Sequence, residues 1–279
     1  MNQHIQFVTK NSGEKVPFIP EKLVGSLKRA GATDEIAEYI LESVNQQLND
    51  GISTRKIYSF AFSLLKKASR PTAAKYKLKK AIMELGPSGY PFEQYVGELI
   101  KYQGYSVQVG VTEQGHAVTH EIDVLADKGQ LRVSVECKYG NSKDKKISVQ
   151  VPMYIKSRFE DLVKEWKKQD SLREKQFQAW IATNTAFSSD AIAFGETYGL
   201  RLIAWSYPKK GSLRELVEES KLYPITSLIS LTKSEKEALL EKGVVLCKEV
   251  MEKKDLKEIF RIPHSRHKRL MEELSFLRD

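Results

Sequence analysis

The sequence predicts an α/β protein: a mixed sheet with flanking helices, preceded by a small, mainly helical domain and followed by a helical extension. Three observations carry this expectation. Apolar residues recur at helical spacing through about residue 85, the stretch LGPSGYPFE breaks that rhythm, and β-rich runs begin at YSVQVGV. The boundaries expected from them are 1–86, 87–208 and 209–279.

The first segment reads as a hairpin, with IQFV, a turn at Asn11-Ser12-Gly13 and a second short strand through Val16 and Phe18. Pro20 opens a helix with Leu23, Leu27 and Ala30 on one face, and Gly31 ends it. Thr33-Asp34 caps a second helix carrying Ile36, Ile40 and Val44, and Asp50-Gly51 stops it. Ser53-Thr54 caps a third with Ile57, Phe60, Leu64 and Leu65; Pro71 begins a fourth that reaches Leu85. Beyond the break, a helix from Phe92 to about Gln103 precedes three strands, YSVQVGV, HEIDVLAD and LRVSVECKY. A long helix from about Ser148 to Lys168 follows, then the strand QAWIAT, a helix capped by Ser188 and ended by Gly199, and the strand RLIAW. From Ser212 onward the spacing is helical, with a basic stretch from Arg261 to Arg269 before a closing LSFL.

A chain of 279 residues has room for two or three domains with ordinary cores, and 29% charged against 41% hydrophobic residues leaves little for long disordered tracts. The 45 basic residues exceed the 36 acidic by 9, which favours polyanionic partners such as nucleic acid. No run of 18 apolar residues and no opening signal pattern occurs, so a cytoplasmic protein without a membrane partner is expected. Cys137 and Cys247 lie far apart and lack metal-type spacing, which argues against a disulfide framework or a zinc site.

The residues that carry chemistry lie in the second and third strands. Alternation along a strand puts Glu136 and Lys138 on one face, and Asp123 stands between the apolar Ile122 and Val124. Pairing of these strands would bring two carboxylates and an ammonium together, a set that suits Mg²⁺ with its preference for oxygen ligands; the Cys137 carbonyl offers a third ligand beside Asp123 and Glu136. Such an ion polarises a phosphodiester and acidifies its water, while Lys138 would stabilise developing negative charge. Glu93, opening the preceding helix, is the natural fourth carboxylate, with Glu98 its competitor and Gln150 a weaker candidate on the long helix. The alternative at this point is a solvated salt-bridge patch.

The run from FEQYVGELIKYQGYSV through HEIDV, VECKY and WIATNTAFSSDAIAFGETYGLRLIAW resembles the Mrr-type restriction endonucleases of the PD-(D/E)xK nuclease superfamily, over about residues 88–206. The resemblance implies a restriction-endonuclease-like fold, a Mg²⁺ cofactor with Mn²⁺ as a possible substitute, DNA as substrate, and an active site of Glu93, Asp123, Glu136 and Lys138. Where such proteins often carry GGIDV, this chain has HEIDV, so His120 and Glu121 either alter the approach to the metal or are ordinary strand-entry residues. The first module, with Val8-Thr9-Lys10, Gly13, Phe18, Lys22, GISTRKIY and AAKYKLKKAI, resembles the ATP-cone, a regulatory nucleotide-binding domain. That resemblance implies ATP or dATP as regulatory ligand with Lys10, Lys22 and Thr54 as contacts, and the helix amino terminus at Ser53-Thr54 offers free N–H groups to an anion. Asn11-Ser12, Val16 and Tyr58 depart from the commoner pattern of that domain.

Together these readings imply a nucleotide-regulated DNA endonuclease of restriction or defence type. It would act as a homo-oligomer, since symmetrical cutting of two strands asks for at least a dimer. A nucleotide-responsive DNA-binding regulator without cleavage, and a junction or repair nuclease, are the alternatives.

Overall fold

The computed structural model describes residues 6–10, 12–49, 51–142, 145–252 and 264–278. The turn residue Asn11, the helix stop at Asp50 and the start of the basic stretch at Arg261 fall outside them. The chain divides into two compact units, one of Met1–Lys80, Ser227–Lys233 and Lys253–Asp279, the other of Ala81–Thr226 and Ser234–Glu252. Residues 209–279 are therefore shared between the two.

In the first unit, β1 (Phe7–Thr9) pairs antiparallel with β2 (Lys15–Pro17) and parallel with β3 (Ile52–Ser53), a strand too short to have been seen as a periodicity. Gly13 takes the positive φ of 85° that the hairpin turn demands. Helix α1 (Pro20–Arg29) starts with proline, whose missing N–H costs nothing there, and α2 (Asp34–Gln47) starts at Thr33, whose hydroxyl accepts from Ile36 N. Helix α3 (Thr54–Ala68) is capped by Ser53 accepting from Lys56 N. The fourth helix is shorter than expected: Ser69 caps α4 (Arg70–Tyr76), and the chain re-forms helix only as α5 (Leu78–Ile82). Leu27, Ile40, Ala61 and Leu65, all fully buried, meet at the centre of this bundle, each large side chain contributing about 1.5–3 kcal/mol.

The carboxyl-terminal helix of this unit, which completes the bundle, spans His264–Arg278 and buries Leu270, Glu273, Leu274 and Leu277 at helical spacing. A buried carboxylate is costly unless fully bonded. Glu273 meets that condition by accepting from Ile229 N at 2.8 Å, Ser230 N at 3.0 Å, Ser230 Oγ at 2.8 Å and Arg70 Nε at 3.4 Å.

The second unit is built on a five-stranded mixed sheet of β4 (Ser106–Gln114), β5 (Thr119–Lys128), β6 (Leu131–Lys138), β8 (Gln176–Thr183) and β10 (Arg201–Ile203), in the order β10-β8-β6-β5-β4. The β4–β5–β6 meander is antiparallel, and β6, β8 and β10 run parallel. Edge strand β4 alternates exposed and half-buried residues, whereas Val133, Val135, Glu136 and Cys137 of central β6 are all buried. Helix α6 (Tyr90–Tyr102) leads into β4, and α7 (Gln150–Trp166) makes the crossover from β6 to β8. A two-stranded parallel pair, β7 (Lys146–Ile147) with β9 (Ala186–Phe187), precedes α8 (Ser189–Thr197) and was not legible in the sequence. The last strand is also shorter than RLIAW suggests, because Ala204 already turns to bridge Tyr207. Helix α9 (Leu213–Ser220) carries a Ser212/Glu215 capping box and stops at Lys221, whose φ is 52°. Helices α10 (Lys233–Glu241) and α11 (Cys247–Glu252) follow. Tyr95, fully buried on α6, donates to Leu222 O at 2.8 Å, tying this carboxyl-terminal stretch to the sheet unit.

Candidate functional site

The register of β5 against β6 places Val124 opposite Val135, so Asp123 and Glu136 lie one residue beyond that pair, each on its own strand. Asp123 Oδ2 accepts from Cys137 N at 2.6 Å, which fixes the carboxylate over the end of β6. Glu136, 8% exposed, accepts from Lys138 Nζ at 2.5 Å through Oε1 and from Arg158 Nη1 at 2.9 Å through Oε2. The strand alternation foreseen for Glu136 and Lys138 thus becomes a direct ion pair. Arg158, on α7, also donates to the Glu121 carbonyl, and its guanidinium carbon lies 5.5 Å from the Tyr154 ring centroid. No spacing argument in the sequence singles out Arg158, because the helix that carries it packs by tertiary fold.

Glu93 sits in the first turn of α6 and feels Asp123, Glu121 and Glu136 electrostatically. Burial, reinforced by these three carboxylates, pushes its carboxyl up to about 7. Burial and the neighbouring Glu136 raise Asp123 to about 6, against the opposing pull of the Cys137 N–H, Lys138 and Arg158. Asp127, four residues along the same strand, shows the contrast. Burial would raise it too, but hydrogen bonds from Arg132 at 3.0 and 3.1 Å and Lys175 at 2.6 Å bring it below its ordinary value. Burial and nearby carboxylates thus raise Asp123 and Glu93, where the fully paired Asp127 is lowered. Glu98, the competitor of Glu93, lies within 3.5 Å of Lys101 and 3.9 Å of Lys248 instead. Gln150 opens α7 as an exposed residue. Burial, then Asp123, Glu93 and Glu136, push the Cys137 thiol well above its usual range, so the thiol is no anionic ligand; its backbone carbonyl is the group left to consider.

His120 has a structural part. Its Nε2 lies 2.9 Å from Asp161 Oδ2, and Asp161 also accepts from Ala117 N at 2.9 Å and Val118 N at 3.4 Å. Asp161 follows Arg158 by three residues on α7, so one helical turn locks both the β4–β5 hairpin and Glu136. On the other side, Thr183 Oγ1 donates to Lys138 O at 2.7 Å, and Asn184 exchanges hydrogen bonds of 2.8 and 2.9 Å with Gly140. The buried Thr183-Asn184-Thr185 turn thereby holds the end of the strand bearing Glu136 and Lys138.

Among the described residues no three His, Cys, Asp or Glu side chains stand in the geometry of a bound metal. The chemistry of the donors nevertheless fits a hard divalent cation. Asp123, Glu136 and Glu93 are oxygen donors, and Asp123 and Glu93 are raised first by burial and then by neighbouring carboxylates.

In the first unit, the parallel register of Thr9 with Ser53 places Lys10 and Thr54 one residue further on at the same end of the β1–β3 pair. Lys10, exposed, pairs with Glu14 at 2.9 Å, and Lys22 is exposed in the first turn of α1. Thr54 is the first residue of α3, immediately after the Ser53 cap.

Residues 6–82 match the ATP cone domain, and residues 223–277 match the family described as AF1548-like, C-terminal. The first match bears out the expected amino-terminal cone. An uncharacterized protein of Archaeoglobus fulgidus is 33% identical over 156 residues, 56% of this chain and 83% of its own length. The solved structure of AF1548, a protein of unknown function, is 31% identical with a TM-score of 0.53, covering 68% of this chain and 97% of that one. The restriction endonuclease MspJI in complex with a 27-mer oligonucleotide is 14% identical, with a TM-score of 0.32 over 63% of this chain and 36% of its own, a likeness too distant to bear on the fold. No helix of the described residues is long and apolar enough to cross a membrane.

Proposed function

Because the chain belongs to the AF1548-like family, whose members compared above carry no stated activity, we propose its function from the carboxylate cluster: a Mg²⁺-dependent DNA endonuclease of restriction or defence type, regulated by ATP or dATP at its amino-terminal cone. The observation that carries the reading is the convergence of Asp123 from β5 with Glu136 and Lys138 from β6, in the electrostatic field of Glu93 from α6. Asp123 and Glu136, with the Cys137 carbonyl, are the groups that would hold the ion. When bound it would supply Lewis acidity at phosphorus and a more acidic water.

The chain's own residues do the rest. The Cys137 N–H, bonded to Oδ2, orients the Asp123 carboxylate that would hold the ion. Lys138 brings its ammonium to Glu136, where it can stabilise negative charge developing on the phosphate. Glu93, in the first turn of α6, would accept a hydrogen bond from the attacking water. The buried Thr183-Asn184-Thr185 turn keeps the end of β6 from moving as substrate enters. At the cone, Lys10, Lys22 and the α3 amino terminus would meet the nucleotide phosphates.

Plasmid cleavage with Mg²⁺ and with EDTA tests the reading. We expect cutting by the wild type with Mg²⁺ only, and a loss of at least about 10²-fold in Asp123→Ala and Lys138→Ala. Equal cutting by all three would remove the nuclease assignment. Isothermal titration with ATP and dATP tests the cone independently, and silence with both would remove its regulatory role.

A further inference from the structure

Resting on the metal-site reading of Asp123 and Glu136, we propose that Arg158 is a positioning residue that competes with the divalent cation for Glu136 and so sets the cation concentration at which the site fills. Its guanidinium is held from three directions: Glu136 Oε2 at 2.9 Å, the Glu121 carbonyl, and the Tyr154 ring at 5.5 Å. Its side chain is only 16% exposed. With Lys138 on the other oxygen, both oxygens of Glu136 face a cation. Asp123 is prepared differently: its hydrogen bond comes from the neutral Cys137 N–H, and Lys138 and Arg158 act on it only through space. The two acids therefore offer unequal starting points to an ion: Asp123 is under-neutralised and Glu136 already balanced.

A divalent ion that draws on Glu136 must share that carboxylate with a fixed positive charge. The repulsion raises the concentration needed for filling, while the same contact keeps Glu136 in one orientation. Removing the guanidinium should consequently tighten cation binding and slow the reaction. A residue with only a packing role would weaken both or move neither, so the opposed signs are the signature of this arrangement. Lysine is no substitute, because a single ammonium lacks the fork that reaches Glu136 and the Glu121 carbonyl together.

The test is Mn²⁺ binding to the full chain, followed by electron paramagnetic resonance of the free ion, with cleavage measured in parallel. Arg158→Met, which keeps the aliphatic stem, should bind Mn²⁺ about tenfold more tightly than wild type and cut more slowly at saturating Mn²⁺. Tyr154→Ala, at a 61% exposed position, loosens the guanidinium without touching Glu136 and should tighten binding about two- to threefold. Should Arg158→Met fail to fold, Tyr154→Ala decides. Unchanged or weaker Mn²⁺ affinity in the folded variants overturns the proposal. A wild type that binds no Mn²⁺ overturns the metal reading of Asp123 and Glu136 and this inference with it. A wild type that binds Mn²⁺ as described but leaves DNA intact removes only the nuclease assignment.

Discussion

Replacing Asp123 by asparagine should make the metal-free protein more stable at pH 8 while abolishing its proposed activity. Burial and Glu136 raise the Asp123 carboxyl from 3.8 to about 6 in the folded chain, so the folded state binds its proton more tightly than the unfolded state does. The contribution is then favourable at low pH, is lost as pH rises from 3.8 through about 6, and is flat above. A displacement of about 2 pH units corresponds to about 3 kcal/mol, and partial solvent screening reduces this to about 1–2 kcal/mol. Asparagine removes the charge yet keeps an oxygen for the Cys137 N–H, so the local hydrogen bond survives. Urea denaturation in EDTA, followed by tryptophan fluorescence, measures the effect on the right unit because Trp166, Trp180 and Trp205 all belong to the sheet-bearing one. Asp123→Asn should exceed wild type by about 1–2 kcal/mol at pH 8, with the gap shrinking toward pH 4.5. A variant less stable than wild type at pH 8 would refute the picture of an Asp123 carboxylate buried, beside Glu136, at a cost to the fold.

Other perturbations probe the frame that holds the site. Glu273→Ala strands Arg70, two backbone N–H groups and the Ser230 hydroxyl in the first unit, and should destabilise that unit by about 3–5 kcal/mol, read as faster proteolysis of the carboxyl-terminal helix. Asp127 behaves oppositely to Asp123: its carboxyl is depressed by Arg132 and Lys175 despite burial, so it stabilises above its unfolded pKa and loses that effect as pH falls through the folded one. Asp127→Asn should therefore cost about 1 kcal/mol at pH 7 and nearly nothing near pH 2, measured by thermal melts at the two pH values. Gly115→Ala would put a methyl 2.2 Å from Asp161 Oδ2 and 2.7 Å from Val118 O, and should destabilise by about 1–3 kcal/mol, with faster amide exchange in the β4–β5 hairpin as the local readout.

Local chemistry made part of the molecule legible without coordinates. Thr33, Ser53 and Ser188 announce their helices because each hydroxyl satisfies an amide that the helix leaves open. The break at LGPSGYPFE and the β-rich runs identify the sheet region, since proline, glycine and β-branched residues act over a few residues only. Alternation within VECKY likewise puts Glu136 and Lys138 on one face.

What the fold alone decided are the meetings between segments distant in the chain. Arg158 reaches Glu136 across 22 residues, Asp161 fixes a hairpin 41 to 44 residues away, and Glu273 gathers its donors from residues 43 to 203 positions earlier. Helical periodicity says which face of α7 or the last helix is apolar, but a buried charged residue looks in sequence like a solvated one until packing removes its water. Two-residue strands such as β7 and β9 are similarly hidden, because a period cannot be read from a single repeat. Caps, turns and strand alternation are properties of neighbouring peptides and so are written in order along the chain. The protonation of Asp123 and Glu93 depends first on how deeply the fold buries them and then on which charges it brings near, and only the three-dimensional structure sets both.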